Sequence, residues 1–306
     1  MSDMQVAKII RNVSLVCTVY NEGESIREFL QSVISMSSYP QELIIVDGGS
    51  TDSTVEKINS IDENTSGLNI RLIQSETRIN IARGRNIAIS SAKYEIIAAI
   101  DAGCILDQDW LKNIVSPLIE NEEVDVVGGW SEAIADTEFG KKVVEIESSS
   151  IDNENPDTFL PSSRSIAFRK KCWASVNGYP EWLTLSAEDT LFDLELRRAG
   201  FKFYFQPSAV ARWKVRPDMR SLLWIRYSWG RGEGEARIYT LKYLARCATL
   251  LCPLFFFFTK KRFRYFGIRY LLYVSLISGW IVGLYRGVFV VSPQTQTIWK
   301  SQTSSS

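Results

Sequence analysis

The 306-residue sequence contains no histidine. That absence removes Ser-His and Cys-His nucleophile pairs, imidazole bases and imidazole metal ligands in one step. Acid–base chemistry then falls to carboxylates, Lys, Tyr or Cys. Cysteine is sparse: Cys17, Cys104, Cys172, Cys247 and Cys252 are odd in number, scattered and without CxxC spacing. Neither a disulfide framework nor a thiolate zinc site is expected. The chain also lacks G-x-G-x-x-G and G-x-x-x-x-G-K-[ST], which argues against a dinucleotide dehydrogenase and a P-loop NTPase. The opening stretch MSDMQVAKIIRN holds no apolar h-region, so no secretory signal is read there and the larger part of the chain is expected to be cytoplasmic.

Charge is balanced in total, 35 basic against 35 acidic residues, but not along the chain. From Arg212 to Ser306 there are 16 Lys/Arg and 3 Asp/Glu, a net of +13, which leaves 19 and 32 in residues 1–211, a net of −13. Such asymmetry points to two environments, the basic one facing anionic lipid or nucleic acid. The expected organisation is a catalytic or binding domain over 1–211, basic aromatic helices over 212–245, and an apolar segment with a polar tail over 246–306.

Short apolar runs alternate with helical spacings. Val13–Val19, Leu43–Val46, Asn69–Gln74, Ile96–Ile100 and Val124–Val127 read as strands, and Ser25–Met36, Asn80–Ala92 and Ala187–Arg198 as helices. Ser53-x-x-Glu56 reads as a capping box opening a further helix. The alternation predicts an α/β fold: a mostly parallel sheet with helices on both faces. Two strands end in Asp, at Asp47 and Asp101, and the first runs through Thr18 into Tyr20-Asn21-Glu22. Strand tips of a parallel sheet converge on one crevice. An aromatic ring beside carboxylates there suits a nucleoside, with ribose hydroxyls donating to Asp. Gly103, two residues beyond Asp101, lets a ligand approach the backbone closely. The plainer readings are an Asp101 that caps the following helix, and Glu188 and Asp189 as favourable carboxylates in a helix's first turn.

The order of motifs resembles the family-2 glycosyltransferases, which have the GT-A fold. The matching pieces are VCTVYNEGESI at 16–26, IIVDGGSTDST at 44–54, ARGRNIAI at 82–89, AAIDAGCILDQDWL at 98–111, NGYPEWL at 177–183, AEDTLFDLELRRAGFKF at 187–203 and SWGRGEG at 228–234. The resemblance implies that Tyr20, Glu22 and Asp47 hold the nucleoside, with Thr18 beside them. It makes Asp101 the first carboxylate of a D-x-D element and Asp189, of the Glu188-Asp189 pair, the catalytic base. The second Asp of D-x-D, the main metal ligand, is Gly103 here, which puts tight ligation of Mg2+ or Mn2+ in doubt. A divalent cation near Asp101 remains the expectation, with Arg83, Arg85 and Arg231 as candidate partners of a departing diphosphate. For Arg83 and Arg85 a solvated helix face is the competing reading.

The basic tail interleaves cations with Trp213, Trp224, Tyr227, Trp229, Tyr239 and Tyr243. Nucleic acid is one reading of such a pattern, but apolar runs follow and favour an anionic membrane. Cys247–Phe258 is uncharged over 12 residues and broken by Pro253, too short to cross. Tyr270–Tyr285 is uncharged over 16 residues, and because its flanking Arg269 and Arg286 can snorkel, Ile268–Val291 just suffices. With Lys260–Arg264 kept cytoplasmic, the expectation is an amphipathic, singly spanning or re-entrant base. The function expected is sugar transfer from a nucleotide-diphosphate sugar to a lipid-linked or polysaccharide acceptor, with inversion. A sugar nucleotidyltransferase, or a nucleotide-binding protein of the same fold without turnover, stands as the alternative.

Overall fold

The computed structural model describes residues 8–61, 68–147, 151, 154–251 and 265–290. Cys252, Pro253, the Lys260–Arg264 cluster and the tail from Ser292 lie outside the described residues. Eight strands form one sheet: β1 (Lys8–Val19), β2 (Ser38–Asp47), β3 (Ile70–Gln74), β4 (Ile96–Asp101), β5 (Cys104–Leu106), β6 (Val126–Ile134), β7 (Ile166–Arg169) and β8 (Phe203–Lys214). Their order is β3-β2-β1-β4-β7-β6-β8-β5. The pairs β2–β3, β1–β2, β1–β4 and β6–β8 are parallel. β7 enters the middle antiparallel to both neighbours, and β5 pairs antiparallel with β8. The sheet is therefore mixed, with a parallel half that carries the carboxylate-tipped strands.

Alternate residues of each central strand face opposite sides of the sheet. On one side Leu15, Cys17, Leu43, Ile45, Ala98 and Ile100 pack against α1 (Ile26–Ile34) and α4 (Trp110–Glu120). On the other, Val16, Ile44, Val46, Ile97 and Ala99 meet α3 (Ile81–Ser91), α6 (Lys170–Ser175) and α7 (Glu188–Arg198). α1 buries Ile26, Phe29, Leu30 and Val33, the stripe its sequence spacing predicts. Each such side chain contributes about 1.5–3 kcal/mol by leaving water. Between β2 and β3 lies α2 (Thr54–Asn59), and after β6 comes α5 (Glu138–Glu147).

One local expectation and one of the plainer readings fail. Ser53 precedes α2 but makes no side-chain cap bond. Asp52 does that work instead, accepting from the Thr54 N–H at 3.0 Å and from the Gly23 N–H at 2.9 Å. Asp101 caps no helix either: the three-residue β5 follows it, and the next helix starts at Trp110.

The chain divides into two compact units. The first comprises residues up to Trp182 together with Glu188–Val215. The expected boundary at 211/212 falls inside β8. The second comprises Leu183–Ala187 and the chain from Arg216. It is built from α8 (Met219–Glu235), α9 (Thr240–Leu251) and α10 (Phe266–Val290). α8 and α10 pack along each other, and Tyr243 of α9 stacks on Trp280 of α10 with ring centroids 4.8 Å apart.

Candidate active site

The parallel register fixes where the strand tips meet. Thr18 of β1 pairs with Asp101 of β4, and Val19 pairs with Asp47 of β2. The two aspartates therefore flank β1 on adjacent strands, about 10 Å apart across two strand spacings. Asp47 is buried and accepts from the N–H groups of Gly49 at 3.2 Å and Ser50 at 3.0 Å. The loop after β1 is tied to the loop after β2. The Asn21 N–H donates to Ser50 Oγ at 2.8 Å, Thr51 N–H to Asn21 Oδ1 at 2.9 Å, and Glu22 N–H to Thr54 Oγ1 at 2.8 Å. Glu22 also accepts from the Ser25 hydroxyl. Tyr20 opens this loop with the Arg78 guanidinium over its ring, 3.5 Å from the centroid. Arg78 carried no signal in the sequence, because it lies in an irregular stretch outside every motif.

α3 supplies the centre of the site. Asn80 caps it by accepting from the Arg83 N–H at 2.9 Å. Gly84 then faces β1 so closely that a Cβ would lie 2.8 Å from Thr18 Cγ2. That approach sets Arg85 beneath the strand tips, 3% exposed. One arm of its guanidinium donates to Asp101 Oδ1 and the other to Glu188 Oε1, each at 2.6 Å. The solvated-face reading of Arg85 is thus corrected, while Arg83 is exposed. Asn86, one residue on, orients the 173–181 segment: its Oδ1 accepts from Trp173 Nε1 and the Tyr179 N–H at 2.9 and 2.8 Å, and its Nδ2 donates to the Tyr179 carbonyl. Arg164, on the loop before β7, places its Nε 4.0 Å from Asp101 Oδ2 and its guanidinium over Trp213.

The electrostatics follow from this burial. Burial alone would lower the Arg85 pKa, but Asp101 and Glu188 outweigh it and leave the guanidinium firmly charged. Burial pushes the Glu188 pKa up; Arg85 opposes that rise and the neighbouring Asp189 adds to it. Asp189 is half-buried at the start of α7 and accepts from the Thr190 N–H at 2.7 Å. Of the Glu-Asp pair, Glu188 is the member held by an arginine. One turn further along, Asp193 is 1% exposed and neither of its carboxylate oxygens has a hydrogen-bond partner among the described residues. Burial first, then the charge of Asp189, push its pKa well above the carboxylate range.

Arg231 belongs to the second unit. Its Nε contacts Glu235 Oε1 and an Nη contacts Thr184 Oγ1, each at 3.0 Å. There it fastens the 183–187 loop to α8, since Thr184 also donates to Glu235.

A divalent cation is supported by a donor set of one. No cluster of three Asp, Glu, Cys or His able to hold an ion exists among the described residues. Gly103 faces open space, with nothing within 4 Å of where a Cβ would stand. A single carboxylate fits an ion that keeps its waters and takes its other ligands from substrate phosphates, as Mg2+ commonly does.

Carboxylate-tipped strands of a half-parallel sheet, joined through a buried arginine to a Glu-Asp pair, define a GT-A-type glycosyltransferase. The chain matches the family model described as glycosyl transferase family 2 over residues 14–176, and that of glycosyl transferase family group 2 over 96–290. It belongs to glycosyltransferase family 2. It is similar to poly-beta-1,6-N-acetyl-D-glucosamine synthase of Staphylococcus aureus, 25% identical over 287 residues, which covers 91% of this chain and 65% of that relative. Among solved structures it resembles a mannosyltransferase from Pyrobaculum calidifontis in complex with GDP-Man and Mn2+. That match has a TM-score of 0.59 at 18% identity and covers 96% of this chain and 79% of the other. It also resembles S. aureus TarS 1-349 in complex with UDP-GlcNAc, with a TM-score of 0.55 at 20% identity over 71% and 66% of the two chains. These structural likenesses establish the fold.

Proposed function

We propose that this glycosyltransferase moves a sugar from a nucleoside-diphosphate sugar to a hydroxyl of a polysaccharide or lipid-linked glycan, inverting the anomeric centre, at the cytoplasmic face of a membrane. The observation that carries the mechanism is the bridge Asp101–Arg85–Glu188, which ties the donor-side strand tip to the helix that bears Asp189. Tyr20, Glu22 and Asp47 hold the nucleoside beside Thr18. A Mg2+ or Mn2+ held by Asp101 supplies charge neutralisation for the diphosphate. Arg164, which reaches over the outer edge of Asp101, adds a fixed positive charge on the same side. Asp189 takes the proton of the acceptor hydroxyl; the oxygen bonds to the anomeric carbon as the bond to the β-phosphate oxygen breaks. The nucleoside diphosphate leaves with that electron pair. No second acid is needed, because the leaving group is already a stable anion, unlike the alcohol expelled in glycoside hydrolysis.

The acceptor class is supported by the similarity to a polysaccharide synthase, and the membrane by the apolar α10 and the basic composition of residues 212–306. The test is to incubate the purified full chain with UDP-GlcNAc, other UDP-sugars and GDP-Man, with and without glycan or lipid-linked acceptors. Acceptor-dependent release of nucleoside diphosphate, with a product anomer opposite to the donor's, is expected. Tight donor binding without any release would support the non-catalytic reading instead.

A further inference from the structure

α8 and α10 run in the same direction with their backbones in contact. Ser275 Oγ donates to the Leu223 carbonyl at 2.7 Å, a separation of 52 residues. The same offset recurs along the pair: a Cβ on Gly279 would lie 2.0 Å from the Tyr227 carbonyl oxygen, one on Gly283 2.2 Å from that of Arg231, and one on Gly287 3.1 Å from that of Glu235. From the α8 side, Gly230 and Gly234 meet the carbonyls of Leu276 and Trp280. Small residues every fourth position allow this approach. The depth of any residue of α10 is thereby the depth of its α8 neighbour.

That lock decides how the apolar helix sits in a membrane. Phe266–Gly287 is long and apolar enough to cross. If it did, its middle would lie beside Leu276 and Ile277, and the offset would bring Trp224 and Ile225 to the bilayer centre. At 1.5 Å rise per residue, Arg226 would lie about 2 Å from the centre and Arg220 about 7 Å. α8 itself begins at Met219, capped by Asp218. Its first turn would lie about 8 Å from the centre, well inside a hydrocarbon half-thickness of roughly 15 Å. The irregular stretch Arg216–Asp218 would then end in hydrocarbon, and the 183–187 loop, hydrogen-bonded to Ser228 and Glu235, would lie there too. Irregular backbone and charges are not tolerated against lipid.

Yet α10 has an apolar outer face. Leu272, Leu276, Ile277 and Trp280 are buried, while Tyr270, Leu271, Val274, Ile281, Val282 and Tyr285 are 36–68% exposed. Trp224 on α8 and Leu241 and Leu244 on α9 are exposed as well.

We propose that α10 does not cross the bilayer but lies in its interface beside α8, with the Tyr270–Tyr285 face inserted among the acyl chains and both ends of the helix on the same side. The occupant of that face is an anionic bilayer surface, since residues 212–306, which carry the apolar face, have a net charge of +13 and anionic lipid attracts such a segment. The inference rests on the membrane association proposed above and takes the interfacial arrangement over the spanning one.

The test labels the full chain in sealed cells with a membrane-impermeant maleimide, comparing Ser305→Cys with Lys142→Cys and with the unsubstituted chain as background. Both sites should be labelled only after permeabilisation; labelling of Ser305→Cys alone from outside overturns the proposal. Recovery of the chain in the soluble fraction would instead overturn the membrane association on which it rests. In a second measurement, Val274→Asp with Ile281→Asp should lower binding to phosphatidylglycerol vesicles at least tenfold, while Ile119→Asp, exposed in the first unit, leaves it unchanged. Equal binding by both variants, or a second copy of the chain covering the face in place of lipid, contradicts the proposal.

Discussion

Arg85 and Asp101 meet at 2.6 Å beneath the tip of β4, with the guanidinium almost wholly buried and the carboxylate partly open to solvent. The other arm of Arg85 holds Glu188 from 103 residues away. One cation thus closes the donor side of the site onto the helix that carries the proposed base.

Removing that cation leaves two carboxylates without their partner in a desolvated place. Arg85→Met should destabilise the protein by about 3–5 kcal/mol, the typical cost of breaking a buried ion pair from one side. Urea unfolding of the variant against the parent chain measures this. Arg85→Lys should recover part of the stability and little of the activity, because a compact ammonium lacks the planar fork whose two Nη groups reach Asp101 and Glu188 separately.

Asp193 predicts a pH dependence of opposite sign to that of a paired carboxylate. Its folded-state pKa is raised by burial and by Asp189. The folded protein therefore keeps a proton that the unfolded chain loses, so Asp193's contribution is fully present below the ordinary carboxylate range. It is lost as pH rises from that range through the raised value, with a slope of up to about 1.4 kcal/mol per pH unit. Asp193→Asn, which holds a neutral amide in the same volume, should flatten this part of the stability curve. Its advantage over the parent should grow with pH across that window in denaturant titrations; a constant difference would contradict the assignment.

How much of this was legible in the sequence depends on the range of the interaction. β1, β2 and β4 could be read because each is a short apolar run stopped by a polar tip, and that signal is local. The central, antiparallel β7 could not be placed, since strand order depends on partners such as Ile97 and Phe168 that are far apart along the chain. The three-residue β5 is shorter than any periodicity can report. The Ser53-x-x-Glu56 spacing was present, but Asp52 one residue earlier captured both the Thr54 and Gly23 N–H groups. Arg85 occupies a position that helical spacing assigns to a polar face, and only the two distant carboxylates explain its burial.

Gly103 gives the cation a clean test. With one carboxylate available, binding of Mn2+ to the chain alone should be weak and should strengthen on adding a nucleoside diphosphate. Gly103→Asp has open space for its side chain and should raise apparent Mn2+ affinity without loss of stability, read by calorimetric titration. Asp101→Asn should abolish the nucleotide-dependent binding.

The proposed mechanism depends most on the division of labour between Glu188 and Asp189. The direct measurement is single-turnover transfer by Asp189→Asn, alongside donor binding to the same variant. Turnover should fall about 10²–10⁴-fold, the usual contribution of a general base, with donor affinity unchanged. Near-parental turnover with donor affinity intact would contradict the mechanism.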